Sequence, residues 1–198
     1  ATAARQGLDL ETPLRSVTVQ YLAAARFAAV TFVPTLLRGG RNIAYATVAA
    51  GQPDRPALQA LATFGRDVPG PELAPLVAAA VPLDHIETTP LDARFGPWFS
   101  RHIEHRFESG PRQFGQNPPE NPVLRLWMRT RDGRPLDEAR LLFLLDGIYP
   151  TYWTALPAPP VISASVDLRA DLFGDLTPET SPDGWAFFEF RTMDVGGG

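Results

Sequence analysis

An internal repeat is the feature of this sequence that most constrains its fold. The segment PLRSVTVQYLA, residues 13–23, and the segment PVISASVDLRA, residues 160–170, share an initial proline, a serine three positions later, and then a hydroxyl residue followed by valine. Two further segments, TLLRGG from Thr35 and TMDVGG from Thr192, each end in glycines that favour a turn. The matched segments are rich in strand formers, so the repeat predicts two copies of one supersecondary unit.

The two copies differ in what surrounds them. After the first glycine pair, RNIAYATVAAG and PALQALATFGR predict a closing hairpin of two strands, whereas the sequence stops soon after the second pair. The helix-like segment LDEARLLFLLDGIY precedes the second copy, but only ATAARQ precedes the first. We therefore expect both copies to be incomplete, the first lacking most of its helix and the second its last strands.

These patterns predict an α+β chain of two units. We expect the first unit to span residues 1–66, without its first strand and most of its helix, and the second to span residues 98–198, without its last strands. Residues 67–97 are rich in proline, with a short alanine-rich segment, and predict a linker with one or two helical turns.

Charge and composition exclude several classes of protein. With 18 basic and 22 acidic residues the net charge is −4, whereas a nucleic-acid-binding protein normally has a basic excess. The absence of cysteine excludes disulfides, thiolate nucleophiles and cysteine metal sites. The longest apolar stretch, YLAAARFAAVTFVP, contains Arg26 and falls short of the ~20 residues that cross a bilayer. We therefore expect a cytoplasmic protein that neither inserts into membranes nor binds nucleic acid.

Familiar catalytic and cofactor motifs do not occur. The sequence has no Gly-x-Ser-x-Gly nucleophile elbow, and the segment HIEH, residues 102–105, matches no zinc-protease spacing. The segment RGGRN lacks the lysine of a phosphate-binding loop, so we expect no cofactor and no metal. Arg38 and Arg41 in that segment remain candidates to hold a phosphate through paired hydrogen bonds, or belong to a solvated turn.

The segment LLFLLDGIYPTYW, residues 141–153, places Asp146 among apolar residues. A helix that is apolar on all sides is buried, and a buried carboxylate is costly unless hydrogen-bonded, so we expect burial to raise the pKa of Asp146. Such a group is suited to act as a general base on water. In the alternative, Asp146 caps backbone groups or faces solvent near a helix end set by Pro150.

Ser165 lies in the strand-like segment VISASVDLRADL, residues 161–172. Alternation places Val166 and Leu168 on one face, and Ser165, Asp167 and Arg169 on the other. Ser165 is therefore either an outward polar residue or, if the polar face meets the other unit, part of a cleft. In the second case Asp167 is a candidate partner of Arg169.

Several segments resemble the double-hotdog acyl-CoA thioesterases of the medium- and long-chain type. The resemblance rests on IEHRFESG, LWMRTRDGRPLDEARLL, LLFLLDGIYPTYW and ASVDLRADL, in this order, and on LLRGGRNIAYATV, which is similar to a glycine-arginine turn of the first hotdog. It implies two side-by-side units, each with an antiparallel sheet wrapped around a helix.

The same resemblance implies hydrolysis of acyl-CoA thioesters. It assigns the catalytic carboxylate to Asp146 and the catalytic hydroxyl to Ser165, while the family's glutamine on the last strand has no counterpart before Gly198. Arg38 and Arg41 become candidates for binding the substrate's CoA phosphates in a cleft between the units. A non-catalytic hotdog module that binds acyl groups or a protein partner is the alternative, and a homo-oligomer is left open.

Overall fold

The computed structural model describes residues 2–67, 70, 80–88, 98–109, 123–148, 150–156 and 164–194. By its contacts the chain divides into unit 1, Ala1–Leu73 with Ser163–Asp175, and unit 2, Ala74–Ile162 with Leu176–Gly198. Within the described ranges, no helix has the length and apolar character that crossing a bilayer requires. The alanine-rich part of the predicted linker and the final VGGG lie outside the described residues.

The regular elements in chain order are the helix α1 (Thr2–Leu8), the strands β1 (Leu14–Tyr21), β2 (Thr31–Gly39), β3 (Ile43–Gln52), β4 (Arg55–Gly65), β5 (Ile103–Ser109) and β6 (Val123–Thr130), the helix α2 (Glu138–Leu145), and the strands β7 (Asp167–Asp171) and β8 (Ala186–Arg191). Short 3-10 turns span Leu83–His85, Trp98–His102 and Thr151–Ala155.

Unit 1 contains a five-stranded antiparallel sheet in the order β2-β3-β4-β1-β7. The predicted hairpin is confirmed as β3 and β4, joined by a tight turn at Pro53 and Asp54. Alternate residues of both strands are buried and mostly alanine, which leaves room for α1 to approach the sheet. Ala4 of α1 is fully buried, and the guanidinium of Arg5 lies over the ring of Phe64.

The described parts of the two repeat segments lie side by side in this sheet, because β1 pairs with β7. Gln20 faces Asp167, and these residues are 147 positions apart, as are Pro13 and Pro160 at the starts of the two segments. Pairing of two equivalent residues in antiparallel strands is what a local two-fold axis through that pair produces. The sequence repeat therefore has a direct structural counterpart in the pairing of β1 and β7.

Unit 2 contains the three-stranded antiparallel sheet β5-β6-β8, with α2 against β6. Alternate strand residues form a buried core with residues of the α2 region: Ile103, Phe107, Leu124, Leu126, Met128, Leu136, Leu144 and Phe188. On the other face, Arg125 bridges the carboxylates of Glu108 and Glu189 at 3.1 and 2.7 Å. The segment LWMRTRDGRPLDEARLL, residues 126–142, contains most of β6, the turn that follows it and the start of α2.

Asp137 begins α2 as its N-cap, with its side chain accepting a 2.7 Å hydrogen bond from the backbone N–H of Arg140. We expect Asp137→Ala to lower the free energy of unfolding by ~1 kcal/mol, because the first turn loses that acceptor. Asp137→Asn keeps an acceptor oxygen and should lose less than half as much. Denaturant unfolding of the two variants measures the difference, and equal stability of the alanine variant and the wild type would contradict a stabilising cap.

Candidate active site

Asp146 lies directly after α2, as its C-cap residue, and its side chain is exposed. The predicted burial of this carboxylate is therefore wrong, and the alternative position near a solvent-facing helix end is the one observed. The helix is only eight residues long, Leu144 is its fully buried residue, and Phe143 is 37% exposed. Because the helix is not surrounded by protein on all sides, the side chain that follows it is not desolvated.

The turn after Asp146 is closely packed against β5. The N–H of Gly147 donates a 2.9 Å hydrogen bond to the carbonyl of Leu144, which closes the last helical turn. A Cβ on Gly147 would lie 2.5 Å from Cδ1 of Ile103 and 3.0 Å from that carbonyl oxygen. Glycine at this position therefore leaves room for the side chain of Ile103 beside the turn.

His105 of β5 is 2% exposed and hydrogen-bonds the backbone of Gly147. Burial lowers the pKa of His105 to about 4; the bond to Gly147 opposes this change, and the charge of Arg131 reinforces it. The imidazole is therefore neutral at pH 7. His105 is not among the predicted site residues, although its alternation with Ile103 and Phe107 indicates the core face of a strand.

Ser165 is exposed and lies in unit 1, two residues before β7 begins, whereas Asp146 lies in unit 2. The predicted alternation holds within β7 but fails before it, since Val166 is 76% exposed instead of inward-facing. Arg169 pairs with Asp171, with Nε 3.0 Å from Oδ2, so the predicted pairing of Arg169 with Asp167 is wrong.

Arg38 and Arg41 lie at the β2–β3 connection of unit 1, Arg38 near the end of β2 and Arg41 in the turn. The N–H of Gly40 closes this turn with a 2.9 Å hydrogen bond to the carbonyl of Ile43. Both arginine side chains are exposed, and neither forms an ion pair with another residue that the structure describes. Two cations close together on one connection are thus accessible to an anionic ligand.

An open groove of about 560 Å³ in unit 1 lies near the β3–β4 turn, at the opposite end of β3 from Arg41. Its walls include Leu22, Val33 and Leu58, and none of the four predicted site residues lines it. Within the described residues, there is no group of three or more His, Asp or Glu side chains suited to a metal ion.

The sequence matches two protein-family models in succession. Residues 1–65 match the acyl-CoA thioesterase N-terminal domain, and residues 78–198 match the acyl-CoA thioesterase C-terminal domain. A search of curated protein sequences gives no match.

Solved structures share the fold. A conserved protein of unknown function with a hot dog fold from Alicyclobacillus acidocaldarius is 22% identical with a TM-score of 0.79, and the match covers 95% of this chain and 69% of that one. The tesB protein of Mycobacterium avium subs paratuberculosis is 21% identical with a TM-score of 0.67, and the match covers 95% of this chain and 68% of that one. Acyl-CoA thioesterase II of Mycobacterium marinum is 19% identical with a TM-score of 0.67, and the match covers 99% of this chain and 74% of that one.

The structural matches confirm the predicted α+β class and hotdog fold. At these identities they establish the fold and not the activity. The match to the C-terminal domain alone spans more than half of the sequence, and the N-terminal domain precedes it in the expected order. The chain therefore belongs to the acyl-CoA thioesterase family.

Proposed function

We propose that this chain hydrolyses medium- or long-chain acyl-CoA to a free fatty acid and CoA. The observation that carries the proposal is the match of both acyl-CoA thioesterase domains, in order, to successive parts of one chain. Hydrolysis requires a group that orients water and accepts its proton, and Asp146 is our candidate because the resemblance to the family assigns the catalytic carboxylate to it and the turn that follows it is packed against β5.

In the proposed reaction, a water molecule attacks the thioester carbonyl carbon while the carboxylate of Asp146 accepts one of the water's protons. The carbon–sulfur bond then breaks, and that proton passes to the sulfur, which leaves as the thiol of CoA. Ser165 is the proposed catalytic hydroxyl, since a hydroxyl both donates and accepts hydrogen bonds. Backbone N–H groups would stabilise the negative charge that develops on the carbonyl oxygen.

The CoA phosphates are the proposed ligands of Arg38 and Arg41. The chain as a whole has a net charge of −4, so attraction of an anionic substrate depends on local cations. These two guanidinium groups are exposed and are not engaged by a described carboxylate. We further propose that the protein acts in the cytoplasm and uses no cofactor, since water is the only co-reactant that the reaction needs.

Replacing both arginines, Arg38→Gln with Arg41→Gln, should raise KM for acyl-CoA by about 3- to 10-fold and leave kcat unchanged. Each exposed ion pair contributes up to about 1 kcal/mol, and the contacts are made equally to substrate and transition state. The increase in KM with added salt should also become smaller. Steady-state kinetics at two ionic strengths measure both effects.

An acyl-pantetheine substrate, which lacks the nucleotide phosphates, provides the control for that prediction, because its KM should not respond to the double substitution. A second control is Arg26→Gln, since Arg26 already pairs with Asp54 at 3.1 Å in the same unit. A rise in KM for both substrates, or an equal effect of Arg26→Gln, would contradict a phosphate contact.

A non-catalytic hotdog module that binds acyl groups or a protein partner is the alternative. The exposure of Asp146 favours it, because a desolvated site strengthens catalytic electrostatics and this carboxylate is not desolvated. The two functions are separated by incubating the protein with acyl-CoA and measuring free thiol. Release of CoA over many turnovers supports hydrolysis, whereas saturable binding without thiol release supports the alternative.

A further inference from the structure

Strand β5 holds the turn that carries Asp146 through two contacts. The first is steric, since Gly147 lies so close to Ile103 that a Cβ would approach its Cδ1 to 2.5 Å. The second is the hydrogen bond between the side chain of His105 and the backbone of Gly147. Gly147 directly follows Asp146, so both contacts act one residue from the proposed catalytic carboxylate.

The atoms that form the hydrogen bond between His105 and Gly147 can be inferred from the effect of the bond on the pKa of His105. The bond raises the pKa and so stabilises the charged imidazole. This effect is expected when a ring N–H donates to a carbonyl oxygen. Nε2 is buried and has no hydrogen-bond partner within the described residues, so Nδ1 is the donor. His105 therefore satisfies the Gly147 carbonyl with Nδ1–H and leaves Nε2 unpaired.

An apolar side chain at position 105 would avoid burying an unpaired nitrogen. The neighbours of His105 on this face of β5, Ile103 and Phe107, are apolar and buried. An apolar side chain would therefore pack equally well at position 105. What distinguishes histidine from leucine or phenylalanine at this position is the hydrogen bond that it donates to the turn after Asp146.

We propose that His105 is a positioning residue for Asp146, holding the carbonyl of Gly147 and thereby fixing the carboxylate relative to strand β5. The inference rests on the proposed thioesterase function and adds a residue to it. A displacement of about 1 Å in a catalytic group lowers rates by up to about 10²-fold, so a small movement of this turn has a measurable effect on turnover.

The test compares His105→Leu with His105→Asn. Leucine fills similar space without a donor, whereas the side-chain amide of asparagine donates from about the position of Nδ1. We expect His105→Leu to lower kcat for acyl-CoA by about 10-fold with KM unchanged, and His105→Asn to stay within about 3-fold of wild type. Equal kcat in all three proteins, or an equal loss in both variants, would overturn the inference.

Gly147→Ala tests the same contact if His105→Leu does not fold. The added Cβ would lie 3.0 Å from the carbonyl oxygen of Leu144 and 2.5 Å from Cδ1 of Ile103, so the backbone of the turn must shift and the tip of Ile103 must move while His105 is kept, and kcat should again fall by about 10-fold. Undiminished kcat in a folded Gly147→Ala protein would show that the position of this turn does not matter for turnover, and would overturn the inference.

Asp146→Asn separates this inference from the proposed function. Since His105 acts through Asp146, His105→Leu should cause no further loss in an Asp146→Asn background. Full activity of Asp146→Asn, or no activity in the wild type, would overturn the proposed function and this inference with it. Loss of activity in Asp146→Asn together with full activity in His105→Leu would overturn the inference alone.

Discussion

Asp146→Asn is expected to lower kcat for acyl-CoA hydrolysis by ~10²-fold or more, the usual effect of losing a general base. Asparagine keeps the shape of the side chain but cannot accept a proton from water at neutral pH. Stability should be unchanged or slightly higher, because a negative charge at the C-terminal end of α2 opposes the helix dipole. Kinetics and thermal unfolding of the same preparations measure both effects.

Asp137→Asn is the matched control for this prediction, since it makes the same chemical change at the other end of the same helix. It should leave kcat within about 2-fold of wild type, because surface substitutions away from a site have small effects. Equal losses of activity in the two variants would point to a general effect on α2. An Asp146→Asn protein that is less stable but fully active would identify Asp146 as a structural residue.

The second large effect is on stability at acidic pH. The pKa of His105 is about 4 in the folded protein and 6.5 in an unfolded chain, so the unfolded state binds the proton more tightly. The free energy of unfolding should therefore be unaffected by this group above pH 6.5, fall as the pH decreases from 6.5 to 4, and have lost ~3 kcal/mol below that. Denaturant unfolding at a series of pH values measures the loss.

The control for the pH effect is His105→Leu, which has no group to protonate at this position. The difference in stability between the wild type and this variant should change by ~3 kcal/mol over the interval from pH 7 to pH 4. Carboxylates such as Glu189, whose pKa is lowered by hydrogen bonds from Arg191 and Arg125, affect both proteins alike and cancel in the difference. A constant difference across this interval would contradict the burial of a neutral His105.

The strands were more predictable than the helix end. Alternation and turn residues are local signals, so they indicate the β3–β4 hairpin directly. The pairing of β1 with β7 joins residues 147 to 155 positions apart, and no local pattern specifies such a contact, although the repeat shows that the two segments are equivalent.

The wrong prediction that Asp146 is buried came from treating residues 141–146 as part of a helix that is covered on all sides. Gly147 is itself a helix-end signal, because glycine is frequent just past a helix C-terminus, and the structure ends α2 at Leu145. Periodicity describes which residues share a face but not whether protein covers that face, so the exposure of Phe143 was not predictable. The role of His105 depends on contact between β5 and that turn, which required the structure.

The central claim, that this chain hydrolyses acyl-CoA, is tested most directly by measuring free CoA and free fatty acid together after mixing the protein with acyl-CoA of medium and long chain length. We predict that both products form in equal amounts, over many turnovers, and that Asp146→Asn abolishes most of this release. Tight binding of acyl-CoA with no CoA released at any chain length would contradict the claim and favour a non-catalytic hotdog module.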